Sequence, residues 1–125
     1  MARNREQERE HKQQWRADNR ERYNTYGRDY RARNRDRFRR YDLRHRYGVT
    51  PEWYDKQKAL QGGRCAVCGT TDTGDKRWGR FCIDHNHTTG AVRALLCSSC
   101  NRVLGLFKES AARLRAAADY LEKHQ

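Results

Sequence analysis

Cys65-Ala66-Val67-Cys68-Gly69 and Cys97-Ser98-Ser99-Cys100 decide the fold of this chain. Each Cys-x-x-Cys pair turns two sulfurs toward one point, and two such pairs supply the four thiolates of a closed tetrahedral zinc site. Gly69 follows the first pair, where a knuckle turn calls for a residue without a Cβ. Buried reduced cysteines would not need paired spacing, and a redox Cys-x-x-Cys needs only one copy. A shell of four sulfurs leaves no position for water, so the zinc is expected to hold structure and to do no chemistry itself. Cys82 is the unpaired cysteine and reads as a small buried residue of a strand.

Working outward, Phe81-Cys82-Ile83 and Ala91-Val92-Arg93-Ala94-Leu95-Leu96 are rich in β-formers on either side of a turn containing Thr89-Gly90, which predicts a hairpin. On the N-terminal side, Thr50 can cap a helix that has Pro51 in its first turn, and Gly62-Gly63 ends it. On the C-terminal side, Ser110 can cap a last helix in which Leu114, Ala117, Ala118 and Leu121 recur at helical steps.

Two domains are expected, a basic arm over residues 1–46 and a zinc-stapled domain over residues 47–125. The arm carries 16 Lys and Arg against 8 Asp and Glu, so it supplies +8 of the chain's formal +12. Without Pro, and dense in Arg, Glu and Gln, it favours helix. Trp15, Tyr23, Tyr26, Tyr30, Phe38 and Tyr41 trace a narrow stripe along that helix, with arginine on the other faces. Asn19-Arg20-Glu21-Arg22-Tyr23 returns as Asn34-Arg35-Asp36-Arg37-Phe38, about four helical turns later. One reading is a solvated helix or disordered arm. The other is a phosphate-tracking arm whose aromatic stripe packs on the domain or on a second subunit.

The excess of positive charge in a chain only 35% hydrophobic points to a polyanion, and nucleic acid is the first candidate. A membrane surface is disfavoured: no long apolar run, lipidation signal or leucine-rich face accompanies the basic stretches. The charged N-terminus leads into no apolar h-region, so a cytoplasmic location is expected, a reducing compartment in which paired cysteines bind metal before they form disulfides.

Inside the loop closed by the cysteines lies Asp84-His85-Asn86-His87, the densest group of catalytic residue types in the chain. A carboxylate and two imidazoles in four residues can bind a hard cation, activate water and neutralise phosphate charge. Alternation would send Asp84 and Asn86 to one side of a strand and His85 and His87 to the other. A polar turn capped by Asp and Asn accounts for the same residues.

The order Cys-x-x-Cys, then Asp84-His85-Asn86-His87, then Thr89-Gly90-Ala91-Val92-Arg93-Ala94-Leu95-Leu96-Cys97, then Cys100-Asn101 resembles the phage recombination endonuclease VII family. That family belongs to the His-Me finger, or ββα-metal, nucleases. The resemblance implies an α+β, mostly helical fold: a zinc-stapled ββα-metal core with a long basic N-terminal helical arm and a C-terminal helix. It implies that Asp84 and Asn101 hold a catalytic Mg²⁺, with Mn²⁺ as a substitute, that His85 is the general base, and that His87 touches the scissile phosphate or assists the metal. Branched DNA, such as a Holliday junction, is an implied substrate. Paired cuts on it call for a homodimer, and a phage-encoded enzyme would act in the host cytoplasm. Asn86 stands where the family often has aspartate, and Ala94 where it often has glycine. A zinc-ribbon nucleic-acid binding protein without chemistry, or a generic HNH nicking nuclease, explains part of the same pattern.

Overall fold

The computed structural model describes residues 4–125. They form six helices and one two-stranded antiparallel sheet: α1 Arg5–Asp18, α2 Arg20–Arg33, α3 Arg35–Tyr47, α4 Pro51–Leu60, β1 Cys82–His85, β2 Val92–Leu96, α5 Ser98–Leu106 and α6 Ala111–Lys123. The chain divides into two compact units, one ending at Tyr41 and the other running from Asp42 to Gln125.

The first unit is helical, as its composition predicts, but the helix is broken twice. Asn4 opens α1 with a capping box, its side chain accepting from the N–H of Gln7 while the Gln7 side chain accepts from the N–H of Asn4. Asn19 and Asn34 then interrupt the run at equivalent places in the fifteen-residue repeat, each at φ −111°. Each donates its side-chain amide back to a carbonyl four residues earlier, Asn19 to Trp15 at 2.9 Å and Asn34 to Tyr30 at 2.8 Å. Local side-chain bonding of this kind competes with regular helix geometry. The six stripe aromatics are all exposed, and Tyr30 touches Tyr26 (6.3 Å between centroids) and Phe38 (6.1 Å).

The second unit builds a small core from Leu43, Tyr54, Cys65, Phe81, Ile83, Leu95, Leu96 and Cys97. Thr50 caps α4 by accepting from the N–H of Trp53, Pro51 sits in the first turn, and Gly62 and Gly63 take positive φ just past the end. Helix α4 then supplies what a two-stranded sheet lacks. The Tyr54 hydroxyl accepts from the N–H of Phe81 (2.9 Å) and donates to its carbonyl (3.3 Å). On β2 the amide of Gln61, the residue capping α4, accepts from the N–H of Leu95 and donates to its carbonyl, both at 2.9 Å. Two side chains thus satisfy backbone groups that a neighbouring strand would otherwise take. Gln61→Leu is expected to cost about 1–3 kcal/mol, because it strips the partner from the N–H of the fully buried Leu95. A denaturant midpoint equal to wild type would show that water replaces the amide.

Strands β1 and β2 pair Cys82 with Leu96, Ile83 with Leu95 and His85 with Val92. Between the last two pairs the register shifts, so Arg93 and Ala94 together face the single residue Asp84, a bulge. Ala94 keeps a negative φ there, so the strand does not demand glycine at this position. The turn that follows β1 is organised by Asn86, whose side-chain oxygen accepts from the N–H groups of Thr88 and Thr89. Cys82 belongs to β1 as expected but is half-buried, not enclosed; it lies opposite Leu96.

Candidate functional site

The four cysteines of the knuckles converge. Their sulfurs lie within 4.8 Å of one another, and Cys68 Sγ is 3.8 Å from Cys97 Sγ. Four sulfurs at the zinc–sulfur bond length sit about 3.8 Å apart at the corners of a tetrahedron, so the cluster fits a zinc ion. Among the described residues it is the one grouping of three or more His, Cys, Asp or Glu ligands near enough to share an ion.

Each knuckle is shaped by its backbone. Gly69 turns the first at φ +72°, with its N–H on the carbonyl of Cys65. The second opens α5: Cys97 is the N-cap, and its sulfur accepts from the N–H of Cys100 at 3.4 Å. Burial alone would raise the Cys65 thiol, but backbone N–H groups at Cys68, Cys97 and Val67 outweigh it and bring the group down to about 6. Cys100 is pushed up, first by burial and then by the sulfurs around it. The segment between knuckle and hairpin is tied to the same helix: Ser98 donates its N–H to the carbonyl of Thr73, and Gly74, at φ +67°, lies where a Cβ would come within 2.2 Å of Ser98 Oγ.

The histidine segment lies on the hairpin that this cluster anchors. Asp84 is buried, with 7% of its surface exposed. Both its oxygens are held by Arg93, Oδ2 by Nε at 2.6 Å and Oδ1 by Nη2 at 2.9 Å. The bulge is what brings Arg93 opposite Asp84. The rings of His85 and His87 lie together, with centroids 4.9 Å apart and Tyr47 at 5.5 Å from His85, although His87 stands in the turn beyond β1, where strand alternation no longer applies. Asn101 stands in the first turn of α5, a helix packed on both strands, and its side chain makes no hydrogen bond among the described residues.

Asn86 organises the turn that follows β1. Its side chain is the cap of the loop, a role that either an amide or a carboxylate can fill, since each has an oxygen to accept the two N–H bonds.

Two site residues were not legible beforehand. Arg93 carries a charge inside a strand that is otherwise apolar, a signal that could have marked it for a buried partner. Its Nη2 also reaches the carbonyl of His85 at 3.1 Å and Glu109 Oε1 at 2.6 Å. Asp84 first, and then Glu109, push the guanidinium above its ordinary range. Glu109 had no signal at all. It comes from the turn between α5 and α6, where Lys108 and Glu109 adopt φ of 53° and 54°. Left-handed backbone at residues other than glycine costs about 1–2 kcal/mol each. Arg93 draws the Glu109 carboxyl below the usual glutamate range.

The family model for recombination endonuclease VII matches residues 40–123. The chain belongs to the recombination endonuclease VII family. Over 78 residues it is 42% identical to the Gene 59 protein of Mycobacterium phage D29, covering 62% of this chain and 46% of that one. Over 76 residues it is 40% identical to the Gene 59 protein of Mycobacterium phage L5, covering 60% and 44%. The aligned region thus spans less than half the length of these curated relatives. No solved structure matches the chain. No helix among the described residues is long and apolar enough to cross a membrane.

Proposed function

We propose that this protein is a DNA endonuclease that hydrolyses phosphodiester bonds at Asp84, His85, His87 and Asn101, with structural zinc on Cys65, Cys68, Cys97 and Cys100. The observation that carries the reading is a hairpin that bears the buried carboxylate of Asp84 and the paired rings of His85 and His87, and whose following helix, α5, begins inside the sulfur cluster. Strand, strand and helix in that order support the reading of a ββα-metal, His-Me finger core.

The donor set fits a divalent cation such as Mg²⁺ or Mn²⁺. Asp84 already attracts one cationic group, Arg93, which uses two of about four lone-pair positions on the carboxylate and leaves the others open. Asn101 adds a neutral oxygen, and a site with few protein ligands suits an ion that keeps most of its water. Bound there, the cation would stabilise charge on the phosphate and on the departing 3′ oxygen. His85 takes the proton from the attacking water. His87, beside it and exposed, would meet the phosphate. The basic residues 1–46 grip the backbone phosphates that every DNA sequence shares. Branched DNA is the proposed substrate, and a homodimer would place two sites for paired cuts.

The test is incubation of supercoiled and four-way-junction DNA with the zinc-loaded protein, with and without Mg²⁺ or Mn²⁺. Metal-dependent products carrying 5′ phosphates are expected. Tight binding with no cleavage under either metal would reject the endonuclease and favour a zinc-ribbon DNA-binding protein. Nicking of plain duplex at the same rate as the junction would remove the branched substrate.

A further inference from the structure

Helix α5 stops at Leu106, and the turn into α6 is closed by bonds from the N–H of Lys108 to Gly105 and of Glu109 to Leu104, each 2.9 Å. Glycine is the usual residue for left-handed positions past a helix end. Here two long charged residues occupy them in succession. That backbone path aims Glu109 at the hairpin, where Oε1 meets Arg93 Nη2 at 2.6 Å, Oε2 accepts from the His87 N–H at 3.3 Å, and Oε1 lies 3.9 Å from His87 Nδ1. Arg93 in turn holds Asp84 by both oxygens. A single chain of contacts therefore runs from His87 through Glu109 and Arg93 to Asp84.

We propose that Glu109 is a positioning residue for the cation-binding carboxylate, held in place by the strained turn. The inference rests on the reading of Asp84 as a cation ligand. Without Glu109 the charges of Asp84 and Arg93 cancel, and Arg93 has only Asp84 to pair with. With it the group is net negative, and Arg93 is shared between two carboxylates, so Asp84 retains its attraction for a divalent ion while its orientation is fixed. The same carboxylate fixes the backbone at His87.

The test uses the full zinc-loaded chain, with Mn²⁺ as the probe read by electron paramagnetic resonance and with thermal melting alongside. Glu109→Gln keeps the shape and removes the charge, and is expected to weaken Mn²⁺ binding about tenfold, the order set by one screened charge near a divalent ion. Glu109→Gly is expected to weaken it as much while melting no lower than wild type, because the left-handed strain is relieved. Lys108→Gly relieves the neighbouring strain and leaves Glu109 in place, so it should bind Mn²⁺ and cut DNA as wild type does. Wild-type Mn²⁺ affinity in Glu109→Gln overturns the proposal. So does a loss of affinity in Glu109→Gly that follows a matching fall in melting temperature, which would make the residue merely structural. Absence of Mn²⁺ binding by wild type rejects it too. If wild type binds Mn²⁺ but cuts no DNA, and Glu109→Gln still weakens binding, the positioning role stands and the endonuclease reading falls.

Discussion

Stripping zinc from the four cysteines is expected to unfold residues 42–125 as a unit and to abolish DNA cleavage even with Mg²⁺ in excess. The core has eight buried apolar residues, and two of them, Cys65 and Cys97, are themselves cluster members. A two-stranded sheet is marginal by itself. Zinc binding to such sites is worth about 10–16 kcal/mol at neutral pH, as much as the whole stability of an ordinary domain at about 5–15 kcal/mol. The knuckles also join the segment before the hairpin to the start of α5, so the cluster reinforces the packing of α5 on both strands that sets Asn101 relative to Asp84. Because the helices before Tyr41 lie in the other unit, bulk helicity is a poor probe. Methyl resonances of Leu95 and Leu96 report the core directly. Dispersed methyl signals that persist after complete removal of zinc, or in Cys97→Ser, would show that the cluster is not what holds this unit.

Replacing His85 with alanine is expected to lower the cleavage rate by about 10²–10⁴-fold, the usual contribution of a positioned general base. The fold should survive, because His85 is only half-buried and its ring contacts are with Tyr47 and His87 at the surface of the hairpin. DNA binding should survive as well, since the proposed phosphate contacts come from the arm's arginines and not from His85. Asn101→Ala separates the metal from the base: its loss should be partly recovered at high Mn²⁺, whereas His85→Ala should not respond to metal. Cleavage that persists in both variants with binding intact would remove these residues from the site.

The parts of this fold set by local chemistry were readable. Paired cysteines, the Thr50-Pro51 start, the Gly62-Gly63 stop and the Ser110 cap each depend on neighbours within a few residues, and each is where the spacing puts it. The double break in the arm is not legible in the sequence, although the two asparagines responsible mark the fifteen-residue repeat. Their effect depends on whether the side chain turns back to its own helix, which residue type alone does not decide. Arg93 and Glu109 were missed for a different reason. Arg93 meets Asp84 only because the register shifts at Asp84, and Glu109 arrives from a turn with backbone angles that its sequence disfavours. Neither the shift nor the strain has a local cause, so both had to come from the packed structure.

The hydroxyl of Tyr54 and the amide of Gln61 have a consequence beyond the stability of single strands. A hairpin with open flanks is a template on which another extended chain can dock, and proteins gathered along a polyanion meet their own copies at high local concentration. Tyr54 of α4 and its cap residue Gln61 occupy the backbone groups of Phe81 and Leu95, one position on each flank, with side chains that cannot propagate a ladder. At those two positions a second extended chain finds the backbone groups already taken, so self-templated pairing is disfavoured there.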